Sequence, residues 1–278
     1  MPNYPAEYGP PSLPRPGKVT TVAMCLVGGL WLAFAVGISW AGVGADAFQL
    51  FCGNAALILH GQVWRLLSAP LLQAPNQGWH LFGVLLSVYF FGVPLEKSWG
   101  PARFTRFLLA LALIPSLVQV LFEIALPPSV GRYFSEPYWF GGFAACNGLI
   151  VAWSLQNRGA VVRLYGLLPI STRVMIWMAL GSPLVYLIFR EVPAEGIWAL
   201  YGGCFAGWLL GASNPSPLRR YWLHFRLGRL DAEAAREAAQ RKKRVGRSGL
   251  TVIEGGRTKP DRDSGPEKGR GADGRWLN

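Results

Sequence analysis

Histidine is nearly missing from this chain: His60, His80 and His224 are the only three in 278 residues. Scattered this way they build no metal-ligand set. The four cysteines, Cys25, Cys52, Cys146 and Cys204, show no CxxC spacing, so neither a zinc site nor an internal disulfide is implied. No metal and no cofactor is expected. Charge is scarce too, at 15% against 51% hydrophobic residues, which excludes an ordinary soluble domain. What charge there is lies unevenly: from Arg219 to Arg275 there are sixteen Lys and Arg against eight Asp and Glu, so most of the net +12 belongs to the tail. A basic tail with no nucleic-acid fold motif beside it points away from nucleic acid. Behind a run of apolar segments, it fits an anionic lipid surface.

Six apolar stretches are present, running roughly over 19–41, 79–95, 104–126, 139–155, 172–189 and 196–212. A bilayer core takes about 20 apolar residues as a helix, so the second and last are expected to be short spans. Short spans thin the bilayer locally or are buried inside a bundle. The basic residues set the orientation. Arg15 and Lys18 precede the first span, Lys97, Arg103 and Arg106 follow the second, and Arg158, Arg163 and Arg173 surround the loop after the fourth. The opposite loops hold one each, Arg65, Arg132 and Arg190. Both termini are therefore expected on the cytoplasmic side of a cell membrane. The first span is long and lacks a small-residue cleavage site after it, so it reads as a span and not a cleavable signal.

These patterns give an all-α polytopic membrane protein in four parts. Residues 1–18, rich in Pro and Gly, read as a disordered cytoplasmic lead-in. A six-helix membrane domain covers 19–213. The segment 214–245 sets Leu218, Tyr221, Trp222, Phe225 and Leu230 among arginines at near-helical spacing, as an amphipathic helix lying on the membrane would. Residues 246–278 read as a disordered basic tail. The first loop, 42–78, is too apolar for a solvated connection and is expected in the interface, with Trp64 as an aromatic anchor beside Arg65.

Two spans carry small residues in a pattern. Gly203, Gly207 and Gly211 lie four apart, on one helix face, where they admit a neighbouring helix closely. The fourth span carries Ala145-Cys146-Asn147-Gly148. Together with Trp64-Arg65 in a long first loop, His80 opening the second span, and Gly92, Glu96 and Gly100 at its inner end, this chain resembles the rhomboid family over about residues 19–212. The resemblance implies a six-helix bundle in which a serine in a Gly-x-Ser-Gly motif on the fourth span is activated by a histidine on the sixth. A hydroxyl is a poor nucleophile until a base within hydrogen-bond reach takes its proton.

Matched to that pattern, Gly148 takes the motif's second glycine, Ala145 the first, and Asn147 the nucleophile position. Matching Gly203 and Gly207 puts Leu200 at the base position. His80 matches the family histidine that helps bind an oxyanion, while Val84 replaces the asparagine a turn later. An amide is a feeble nucleophile, and leucine accepts no proton. Losing the base alone cost a serine protease on the order of a millionfold.

Each residue also has a plain structural role. Asn147 reads as a hydrogen-bonding residue between helices, His80 as an interfacial or capping residue, and Trp64 and Arg65 as pins to the headgroups. Glu96, near Lys97, Arg103 and Arg106, reads as a structural ion pair or helix-end contact, and Cys146 and Cys204 as small apolar fillers. The expected function is a catalytically inactive rhomboid-like protein that binds transmembrane segments of client membrane proteins, in trafficking, retention or quality control. One alternative is a working intramembrane endopeptidase using Cys146 or Ser154. Another is a small transporter or a membrane anchor; the spans show no internal repeat, and the only ionisable group well inside one, Glu123, falls near its outer end.

Overall fold

The computed structural model describes residues 14–164, 168–211 and 217–247. The arms read as disordered, 1–18 and 246–278, therefore lie largely outside the described residues, as does the junction 212–216. The chain forms two compact units, 1–222 and 223–278. The first is built almost wholly of helices.

Helix α1 (Lys18–Ser39) leads into three short helices, α2 (Ala45–Phe51), α3 (Ala55–Leu59) and α4 (Arg65–Ser68), which make up the first loop. Helix α5 (Gly78–Ser87), a widened π turn (Val88–Gly92) and α6 (Val93–Trp99) run on as one rod. Then come α7 (Pro101–Ala125), α8 (Pro128–Gly131), α9 (Phe143–Gln156), a two-stranded ribbon, α10 (Thr172–Phe189) and α11 (Ile197–Gly211). Helix α12 (Pro217–Arg247) carries exposed Tyr221, Phe225, Leu227 and Leu230 among its charges.

Four helical stretches are long and apolar enough to cross a membrane: 18–39, 78–99, 101–125 and 172–189. Helices α9 and α11 are shorter, at 14 and 15 residues. The last stretch is short, as expected, but the second is long, and the other short helix is that of the fourth stretch. The helix of the second span continues past the charges of Glu96 and Lys97 and stops only at Gly100, whose φ of 78° and ψ of 162° suit glycine alone. Pro101 then opens α7 at a position where its missing N–H costs nothing.

The fourth apolar stretch loses its first helical turn because the backbone of residues 139–141 is paired with other segments. Trp139 and Gly53 exchange backbone hydrogen bonds, Phe140 donates to the Ala194 carbonyl, and Gly141 donates to that of Ala69. A second departure from an all-helical chain is the ribbon β1 (Val161–Leu164) and β2 (Leu168–Ser171), antiparallel, with Val161 opposite Ser171. Residues 165–167 at its tip are among those not described.

Polar residues in the bundle serve helix ends. The Glu96 carboxylate accepts from the Val19 and Thr20 N–H groups at 3.0 and 2.9 Å and from the Thr20 hydroxyl at 2.6 Å, capping α1. Of the two roles expected for Glu96, it takes the helix-end contact, with α1 as the helix. Arg103 instead lies 4.5 Å over the Trp99 ring. Gly17 admits the carboxylate, which would overlap any Cβ there, and Gly92 lets Phe104 of α7 approach. At the opposite end, Gln119 of α7 accepts from Ala199 N–H in the first turn of α11 and donates to Glu123.

Candidate functional site

Helices α9 and α11 meet backbone to backbone. A Cβ at Gly203 would stand 1.8 Å from the Ala144 carbonyl oxygen, one at Gly207 2.3 Å from that of Gly148, and one at Gly211 2.2 Å from the Ala152 Cβ. The four-residue spacing on α11 therefore mates with 144, 148 and 152 on α9. Gly148 is closed in from the other side by Leu111 of α7.

Beside this seam lie the two positions matched to a reacting pair. Asn147, 8% exposed, donates from Nδ2 to the Ser182 hydroxyl of α10 at 3.3 Å, and Ser182 donates to the Ala179 carbonyl at 3.0 Å. Leu200, 2% exposed, packs with Ala144 and Ala199 against Phe143 and Tyr186. Cys146 is buried in the main core with Val88 and Leu149. Ser154 is buried, and its hydroxyl has no hydrogen-bond partner among the described residues. Both ring nitrogens of His80 are engaged elsewhere, and His60 Nδ1 contacts the Ala56 carbonyl within its own loop.

The His80 ring is held between three elements. Its Nδ1 lies 2.7 Å from Gln73 Oε1, its Nε2 lies 3.3 Å from Glu195 Oε1, and the Phe143 ring meets it edge-on at 4.6 Å. The same Glu195 oxygen accepts from the Phe143 N–H at 3.0 Å, in the first turn of α9. Glu195 is 3% exposed and Gln73 1% exposed. Gly141, at φ 130°, brings the backbone against the carboxylate; a Cβ there would overlap Glu195 Oε1. The reading of His80 as an interfacial cap is thus replaced: it belongs to a buried polar cluster that reaches the N terminus of another helix.

Arg65 is corrected likewise. It is 3% exposed and turned inward, away from any headgroup. Its Nε donates to Gln62 Oε1 at 2.7 Å, and its Nη1 donates to the carbonyls of Gln49, at 2.6 Å, and of Cys52. Ser68 donates to the Phe51 carbonyl, and the half-exposed Trp64 donates to that of Leu50 at 3.4 Å. Trp64 and residues of α4 thereby add donors to the carbonyls at the end of α2, where Gln49 also accepts from the Cys52 N–H. Burial pushes the Cys52 thiol up to about 12, with Arg65 acting in the opposite direction. At 1% exposure the thiol is also closed off from reagents. Maleimide should therefore leave Cys52 unmodified in the folded protein and label it after denaturation, as mass spectrometry of the loop peptide would show.

Three residues of these networks escape a reading of the sequence: Gln73, Ser182 and Glu195. Glu195 lies in Pro193-Ala194-Glu195-Gly196, which resembles an exposed turn. The available signal was at a distance, in the paired Gly141-Gly142 before a span, which leaves room for another residue's side chain.

No cluster among the described residues could hold a metal ion. Chemically, the arrangement offers donors that converge on a carboxylate and an amide bonded across two helices. A family model described as Rhomboid domain matches residues 60–214. No curated protein matches the chain significantly.

Proposed function

The chain belongs to the rhomboid family, a family of multi-pass membrane proteins, and on that premise we propose that it binds transmembrane helices of client proteins without cutting them. The observation that carries this reading is the seam itself. Where the family pattern has a serine and a histidine, Asn147 is bonded to Ser182 and Leu200 is packed in hydrocarbon. Neither residue can take a proton from a nucleophile. The protease reading with Cys146 or Ser154 as nucleophile is less favoured, since among the described residues the Ser154 hydroxyl has no hydrogen-bond partner and the two ring nitrogens of His80 face Gln73 and Glu195.

Binding needs only a surface. Helix α5 packs on α1 and α9, while α10 packs on α9 and, less extensively, on α11, so both helices border α9. Each turns large apolar side chains outward, Phe82 on α5 and Trp177 and Leu184 on α10. Under this proposal α9 and α11 complete a six-span bundle of residues 19–213 with both termini cytoplasmic, in the cell membrane. Helix α12 lies on anionic lipid through its arginines and exposed aromatic residues, and the family's oxyanion histidine persists as His80. Nucleic acid is not a partner in this reading.

The test uses the whole protein in lipid nanodiscs with a model transmembrane substrate. Photo-crosslinkers at Phe82 and Trp177 should capture intact substrate, and no fragment should appear over hours of incubation. Cleavage that disappears on changing Cys146 or Ser154 would replace this reading with that of a working endopeptidase. Absence of capture would reject client binding.

A further inference from the structure

We propose that the N terminus of α9, together with His80 and Gln73, forms a carboxylate-binding site, and that the chain keeps it filled with its own Glu195. Two groups from different elements converge on one atom: the Phe143 N–H donates to Glu195 Oε1 at 3.0 Å, and His80 Nε2 lies 3.3 Å from the same oxygen, in ion-pair range. The α9 dipole favours negative charge at that end. His80 is in turn oriented by Gln73, whose Oε1 lies 2.7 Å from Nδ1. A second observation marks the place as built for polar occupancy. Gln73 Nε2 is buried without a partner among the described residues, and it stands 2.9 Å from where a Cβ on Gly142 would be. Gly141 and Gly142 are the residues whose lack of side chains makes room for Glu195 and Gln73.

Convergent donors of this kind stabilise a carbonyl oxygen as it becomes negative during acyl transfer. Here the point of convergence is taken by a carboxylate oxygen from within the chain. A client's backbone carbonyl cannot be polarised where Glu195 already sits. This deepens the reading of binding without cleavage and takes its functional meaning from it, but the site can be tested alone.

Removing the occupant should leave an anion-binding cavity. Full-length Glu195→Ala, in lipid, should melt below wild type, and sodium formate should raise its midpoint by about 3 °C at saturation, against a matched sodium chloride control. Wild type should show no such formate response. The double variant His80→Ala/Glu195→Ala should lose most of it. Labelled ¹³C-formate should show a bound signal with Glu195→Ala only. Equal responses in wild type and variant, or none in either, would overturn the proposal. Should Glu195→Ala fail to fold, the shape-preserving Glu195→Gln is compared with wild type: a lowered midpoint supports the site and an unchanged one rejects it. Client capture plays no part in these measurements, so failure here leaves the binding reading standing, and failure of capture leaves the formate result standing.

Discussion

Gly203→Ala is expected to abolish most folded protein, although it adds a single methyl group. That methyl would stand 1.8 Å from the Ala144 carbonyl oxygen, which belongs to a helix backbone and has no rotamer into which to escape. Overpacking in cores that can relax costs about 1–3 kcal/mol. A contact between two backbones is less forgiving, because α9 and α11 must separate along their whole seam, including Gly207 against Gly148 and Gly211 against Ala152. The control lies in the same chain. Gly28 in α1 has open space where its Cβ would be, so Gly28→Ala should be neutral or stabilise by up to about 1 kcal/mol. Thermal unfolding of both variants in one detergent reads the difference; equal midpoints would refute the backbone seam.

Arg65→Met carries the next largest expected effect. The thioether matches much of the arginine stem and still packs, but it donates nothing to the carbonyls of Gln49 and Cys52 or to Gln62. The Cys52 carbonyl is the buried acceptor left open, at about 1–3 kcal/mol, and the part-buried bonds to Gln49 and Gln62 are lost with it, so a loss of about 2 kcal/mol or more is expected. Arg65→Lys should recover only part of it, since one ammonium cannot reproduce the planar fork that serves three acceptors. The loss should be local before it is global: limited proteolysis should open the segment 49–65 first. If Arg65→Met melts like wild type, the buried role of this arginine is wrong.

The seam was legible in the sequence because small residues at four-residue spacing mean one thing on a buried helix, and Gly203, Gly207 and Gly211 meet α9 as their spacing implies. Family membership was legible for a related reason, since His80, Glu96 and the glycines keep their order along the chain. The partners of the polar residues were not legible. Glu96 sits among basic neighbours in sequence, yet its carboxylate reaches α1, 76 residues away. Arg65 follows a tryptophan in an apolar loop, which is also the pattern of a membrane anchor. It turns inward to donate to carbonyls at the end of α2, and a helix seven residues long does not announce its end by periodicity. Glu195 was missed for the opposite reason: its immediate neighbours look like a surface turn, and the room that it fills is made by glycines more than fifty residues earlier. The start of α9 was placed too early because Trp139 and Phe140 are apolar enough to be helical, and only their pairing with Gly53 and Ala194 keeps them out of the helix.

The π turn at Val88–Gly92 makes the second span two levers on one pivot. A turn of this kind interrupts the regular hydrogen-bond ladder, so rotation on one side is not transmitted rigidly to the other. The inner lever is fastened to α1 through Glu96 and Thr20, and the outer one to α9 through His80 and Glu195. The contacts that tie down the half carrying Phe82 are thus distinct from those that moor the half ending at Trp99.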